Sequence, residues 1–107
     1  MNLPGLNFQL GEDIDALRAA VHDFAQAEIA PRAADIDRAA EFPWDVKELL
    51  ASHDILALPF PEEHGGLGSQ LLNVCLAGEQ ISRACATSGL ILAVQELGAL
   101  PLLLAGT

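Results

Sequence analysis

The sequence predicts an all-α fold, a bundle-like packing of four to five helices in a single domain. Composition points that way first: 51% of the 107 residues are apolar, with Ala and Leu dominant, which favours helix over strand. Apolar residues then recur at three- and four-residue intervals over several long segments, the period of a one-sided helix. The one apolar run short enough for a strand, residues 55–60 (ILALPF), has no partner strand anywhere in the chain. A chain of this length holds one domain and not two. The expected organisation is a lead-in over residues 1–11 and a helical domain over residues 12–107.

The first helix is expected to start near Glu12. Ile14, Leu17, Val21, Phe24, Ala25 and Ile29 fall on one stripe, and Glu12, Asp13 and Asp15 suit the positive end of the helix dipole. Pro31 removes a backbone donor inside this pattern and should kink or restart the helix. The register resumes through Ala33, Ala34, Ile36 and Asp37 and ends near residues 38–41. Pro43 can open a second helix at its first position, with Val46, Leu49 and Leu50 as the apolar face. Residues 55–60 read as a buried extended connector closed by prolines. Ser69 is the expected cap of a third helix whose face carries Leu71, Leu72, Val74, Cys75, Gly78, Ile81 and Cys85. Thr87 or Ser88 is the expected cap of a fourth, running to Leu97 or beyond, with Pro101 kinking or restarting it.

Charge and cysteine usage exclude several function classes. The formal net charge is −10, and the five basic residues, Arg18, Arg32, Arg38, Lys47 and Arg83, are scattered. No basic patch can form to displace counterions, so nucleic-acid binding is not expected, nor is an anionic membrane surface. Cys75 and Cys85 lie in an Ala-rich stretch without C-x-x-C spacing and read as two buried, reduced thiols in a cytoplasmic compartment. Residues 84–106 carry one charge, Glu96, and have the length of a membrane span. Gln95 and Glu96 near the middle, Pro101, and the absence of flanking basic clusters favour a buried helix of a soluble protein instead.

The stretch PEEHGGLGSQ, residues 61–70, has the look of a chemical site. A dinucleotide fingerprint beginning at Gly66 needs glycine at position 71, which is Leu71, and a phosphate loop needs a lysine after Gly68. Glu62, Glu63 and His64 lack the third or fourth converging ligand of a metal centre, and His22 and His53 have no spacing tie to them. The stretch reads as a turn between the connector and the third helix, with glycines supplying positive φ and close approach. No catalytic, cofactor-binding or metal-ligating constellation is expected in this chain. The last helix is more informative. Gly89, Leu90, Ala93, Val94 and Leu97 lie along one face, with two small residues among them. That face fits either close helix packing or one wall of an apolar ligand cavity.

The order of these segments resembles the N-terminal helical domain of flavin-dependent acyl-CoA dehydrogenases. The matching pieces are LRAAVHDFAQAEIAPRAADID (residues 17–37), FPWDVKELL, PEEHGGLG and GEQISRACATSGLILAVQELGALPLLLAGT, which together cover nearly the whole chain. The opening LNFQLGEDIDALR looks like the isovaleryl-type branch. The resemblance implies FAD, an acyl-CoA substrate oxidised to a trans-2-enoyl-CoA, an electron-transferring flavoprotein as acceptor and a homotetramer. In such enzymes the flavin and the catalytic base belong to a β-domain and a C-terminal helical domain, so neither FAD nor a catalytic residue is expected on this chain. The run LLLAGT is where relatives continue toward the β-domain, so the chain is expected to be a fragment, or the ordered part, of a longer protein. The resemblance assigns Gly89, Leu90, Ala93, Val94 and Leu97 to the wall of the acyl pocket. Small residues at 89 and 93 would leave room for a medium-to-long or branched chain. Folded alone, the chain is expected to self-associate through its exposed apolar face. A non-catalytic helical interaction module on the same fold stands as the alternative, and a small membrane-associated helical protein as a third.

Overall fold

The computed structural model describes residues 10–106, and most of the lead-in lies outside them. The described residues are helical without strands, and five α-helices carry the fold: α1 (Glu12–Phe24), α2 (Ala33–Ala39), α3 (Trp44–Ser52), α4 (Leu71–Ala84) and α5 (Ala86–Ala105). The all-α expectation is met.

Gly11 takes φ 113° where α1 begins, and Glu12, Asp13 and Asp15 occupy its first turn. Between α1 and α2 the helical path is unbroken but changes its winding. Residues Ala25–Ile29 widen into a π turn and Ala30–Arg32 tighten into a 3-10 turn. Pro31 is the cause: its ring would crowd the carbonyl one turn earlier and it donates no hydrogen bond, so the ladder rearranges just before it. Ala25 and Ile29 remain fully buried through this change of winding. Ala40, at φ 53°, terminates α2.

Pro43 sits one position earlier than expected. It caps α3 from outside, its carbonyl accepting from Val46 N and Lys47 N at 3.1 Å each. The connector at residues 55–60 is buried but not extended. It coils through successive turns, with Ala57 N donating to the Asp54 carbonyl and Leu58 N to the Ile55 carbonyl, both at 3.3 Å. Turns keep its backbone groups paired while Ile55, Leu56 and Leu58 enter the core.

Helix α4 is the centre of the domain, packing against α1 on one side and α5 on the other, while α3 meets α5. Val21, Ile29, Val46, Leu50, Val74, Ala77, Ile81 and Leu92 are among the residues that meet in one core. The molecule is a slab, 49 × 36 × 20 Å, only about two helix diameters thick. A slab this thin has little interior, and many apolar side chains stay at its surface.

Three expectations about α4 and α5 are corrected. Gln70, not Ser69, occupies the cap of α4, its carbonyl accepting from Asn73 N at 3.0 Å and Val74 N at 3.3 Å, while Ser69 belongs to the preceding loop through its N–H bond to the Leu58 carbonyl at 2.9 Å. Cys85, not Thr87 or Ser88, precedes α5. It is a single extended residue (φ −162°, ψ 116°) joining two helices, and Ser88 is buried one turn inside. Leu71, Leu72 and Cys75 lie outside the core, where Leu76, Ala77 and Gln80 are buried instead, so only Cys85 of the two free thiols is buried. Pro101 is carried inside α5 without ending it.

Candidate functional site

The glycine stretch is a structural loop folded back on the connector. Its successive amide groups are all spent within the protein. Gly65 N donates to the Glu62 carbonyl at 3.0 Å, Gly66 N to Pro61 at 3.0 Å, Leu67 N to Ala57 at 2.9 Å, Gly68 N to Phe60 at 2.8 Å, and Ser69 N to Leu58 at 2.9 Å. A phosphate cradle needs such N–H groups free and converging. Gly65 takes φ 86°, and a Cβ on Gly66 would stand 2.1 Å from the Phe60 carbonyl oxygen. The glycines are there for the turn and for close backbone approach. Glu62, Glu63 and His64 are exposed on a short 3-10 turn, with His64 Nε2 3.8 Å from Glu63 Oε1. The other two histidines are elsewhere: His22 beside Asp23 at 3.3 Å, and His53 with its ring 4.4 Å from that of Phe24. Among the described residues, no group of three or more His, Cys, Asp or Glu side chains converges to hold a metal.

The cleft between α1 and α4 is polar, with Asp15, Arg18, His22, Gln80 and Arg83 on its walls. Its charges are largely matched in place. Arg18 pairs with Asp15 at 3.7 Å, and Arg83 Nη1 donates to Gln80 Oε1 at 3.1 Å.

The apolar surface is on α5. This helix is apolar on nearly all sides: Ser88, Gly89 and Leu92 are buried toward α4, yet Leu90, Ala93, Val94, Leu97, Pro101 and Leu104 are exposed. At 100° per residue these six share one side of the helix, roughly opposite Ser88 and Leu92. A helix apolar all round belongs in the interior of a larger assembly or in a membrane. By length and composition alone α5 could span a bilayer, and it is the one helix among the described residues that could.

The five residues expected to form a pocket wall are divided by the structure. Gly89 is buried against α4, where an added Cβ would stand 1.9 Å from Ser82 Oγ and 3.0 Å from Ser82 Cβ. It serves the close α4–α5 contact. Leu90 and Val94, 59% and 51% exposed, line an open groove of about 420 Å3 whose other walls include Phe42, Lys47, Thr87, Ile91 and Gln95. Ala93 and Leu97 are exposed on the adjoining outer strip, Leu97 at 69%. Phe42 and Ile91 were not singled out from the sequence. Phe42 sits beside Pro43, and the pair reads there only as a helix boundary.

Comparison with known proteins agrees with this architecture. The family described as acyl-CoA dehydrogenase, N-terminal domain, matches residues 11–107. A probable acyl-CoA dehydrogenase of Bacillus subtilis (strain 168) is 39% identical over 103 residues, 95% of this chain and 27% of the relative. A short-chain-specific acyl-CoA dehydrogenase of Clostridium acetobutylicum is 33% identical over 87 residues, 81% of this chain and 23% of the relative. A cyclohexane-1-carbonyl-CoA dehydrogenase of Geobacter metallireducens is 37% identical over 101 residues, 94% of this chain and 27% of the relative. The chain spans about a quarter of the length of these curated relatives. With a helical fold centred on α4 and a family match that runs through every described helix, the chain belongs to the acyl-CoA dehydrogenase N-terminal domain family.

Proposed function

We propose that this chain acts as the N-terminal helical domain of an FAD-dependent acyl-CoA dehydrogenase, with the outer side of α5 forming part of the acyl-chain cavity. The observation that carries the reading is the uncovered apolar strip of α5, on the opposite side from its own core contacts. Leu90, Ala93, Val94 and Leu97 contribute side chains to the wall, and Gly89 contributes by letting α5 sit close to α4. An apolar wall of this kind binds the substrate's hydrocarbon and excludes water from it.

The chain's own residues do not fit FAD. The one glycine-rich loop has no amide left over for a pyrophosphate, since each from Gly65 to Ser69 already donates within the protein. Flavin and the catalytic base would therefore be held by other parts of the enzyme, a β-domain and a C-terminal helical domain. In that setting electrons pass to an electron-transferring flavoprotein, the enzyme is a cytoplasmic homotetramer, and α5 is covered by protein rather than lipid.

The relatives' names range from short-chain to cyclohexane-1-carbonyl thioesters and do not single out an isovaleryl-type branch. Of the two small residues, Ala93 is on the outer strip and favours a medium-to-long or branched acyl chain, whereas Gly89 faces α4 and adds no room to the cavity. The test is to express the complete reading frame that carries these residues. Bound flavin, and its bleaching by octanoyl- or isovaleryl-CoA, is the expected result. No flavin and no acyl-CoA-dependent bleaching would overturn the activity, while activity confined to butyryl-CoA would overturn the chain-length reading.

A further inference from the structure

We propose that Phe42, on the corner between α2 and α3, is a specificity-determining residue that limits the distal end of the acyl chain. The inference rests on the acyl-wall reading of α5 and adds to it a residue from a different element. Two of the proposed wall residues, Leu90 and Val94, also line the open groove of about 420 Å3 that Phe42 borders. A groove of that volume is within the usual size of small-molecule sites. It adjoins the outer strip of α5 without a break, because Leu90 and Val94 belong to both. Its lining is overwhelmingly hydrocarbon, with Phe42, Leu90, Ile91 and Val94 as the large apolar members. The occupant that matches such a surface is the saturated tail of an acyl thioester.

Phe42 is held as a wall and not as a loose loop residue. Ala40 at φ 53° turns the chain out of α2, and Trp44 N donates to the Phe42 carbonyl at 3.0 Å. Pro43 between them is buried and restricts the backbone. Arg32 Nη1 donates to Asp45 Oδ2 at 2.8 Å, tying the first turn of α3 to the residue that precedes α2. Trp44 lies edge-on to Phe42, ring centroids 4.6 Å apart, and the two rings together line a second, neighbouring groove. These contacts fix the backbone from which the half-exposed Phe42 ring reaches the groove, so the position of the corner sets how far that ring can extend along it.

The test is the ratio of kcat/KM for palmitoyl-CoA to that for butyryl-CoA, measured on the complete flavoenzyme carrying this chain. Phe42→Ala should raise the ratio about tenfold or more, the low end of what one methylene is worth in an apolar pocket. Phe42→Leu should raise it less. Leu97→Phe, on the α5 strip, reports on the wall itself and should lower the ratio. If Leu97→Phe moves the ratio and neither Phe42 variant does, the role of Phe42 is overturned and the wall reading stands. If none of the three moves it, both fail. Trp44, the one tryptophan of these 107 residues, gives a second readout in a complete enzyme whose other tryptophans are replaced by phenylalanine, since Trp44 touches Phe42. Its emission should change with palmitoyl-CoA and not with free CoA, and an identical response to both would overturn the proposal.

Discussion

Helices α4 and α5 are neighbours joined by one residue, yet they meet their surroundings in opposite ways. Beyond its first turn, where Leu71 and Leu72 are exposed, helix α4 is largely satisfied within the chain. Val74, Ala77 and Ile81 enter the core, and Glu79, Ser82 and Arg83 take the exposed side along its second half. Helix α5 buries only Ser88, Gly89 and Leu92 and leaves leucines exposed along the rest of its length, Leu104 at 78%. Residue type sets part of the difference, since α4 carries Asn73, Glu79, Gln80, Ser82 and Arg83 among its apolar residues while α5 is apolar nearly throughout. Position sets the rest: α4 packs between α1 and α5, and α5 lies at the edge of a slab about two helices thick. Apolar surface is thus completed at the centre of the domain and presented at its edge. Presentation of that kind marks a surface built to be covered, by ligand or by protein.

The sharpest break of this comparison is Ile81→Ala. Ile81 is fully buried at the heart of α4, and its truncation should cost about 2–5 kcal/mol in urea unfolding. A loss no greater than that of an exposed α5 leucine would erase the distinction. Next in size is Gly66→Ala, where the new methyl meets the Phe60 carbonyl, a backbone atom unable to swing away. It should destabilise by about 1–3 kcal/mol and leave bound-ligand properties of α5 intact. Wild-type stability in that variant would mean that the loop is not clamped to the connector.

Gly78 and Gly98 sharpen the contrast from the other side. Each lies inside its helix with open space where a Cβ would go. Gly78→Ala and Gly98→Ala should each stabilise by about 0.5–1 kcal/mol, read as a rise in melting temperature. A clash at either position would show a neighbour that the packing does not contain. The smallest effect on folding belongs to Leu97→Ala, within about 0.5 kcal/mol of the parent, because the side chain is mostly solvated already. Its consequence should appear in association instead. The isolated chain should self-associate in light scattering, and Leu97→Glu should shift it toward monomer. A monodisperse monomer for the parent would count against the outer strip as an association surface.

Much of the local structure was legible in the residues. The stripe from Leu17 through Val21, Ala25 and Ile29 is the buried side of the first helical segment, and Pro31 disturbs the winding where the missing donor says it must. The face of α4 was less legible. Leu71, Leu72 and Cys75 extend the apolar arc past half the helix, so periodicity alone could not choose which part faces inward. Capping was misjudged for a related reason. Ser69 has the right side chain, but its backbone is held in the loop by Leu58, a partner eleven residues earlier, and the helix starts one residue later.

Sequence alone determined the all-α class, the helix segments, and the exclusion of nucleotide-loop chemistry, because helical period, proline placement and ligand count are local properties. It also placed the residues of one α5 face together, since a helix of known register leaves no freedom there. Tertiary structure decided the rest. It sent Gly89 to the α4 contact and left Leu90, Ala93, Val94 and Leu97 on the outside. It brought Phe42 to the groove shared with Leu90 and Val94. Which side of an apolar helix is buried depends on what packs against it, and which distant residue completes a groove depends on where the chain turns. Neither quantity is written in the spacing of residues along one helix.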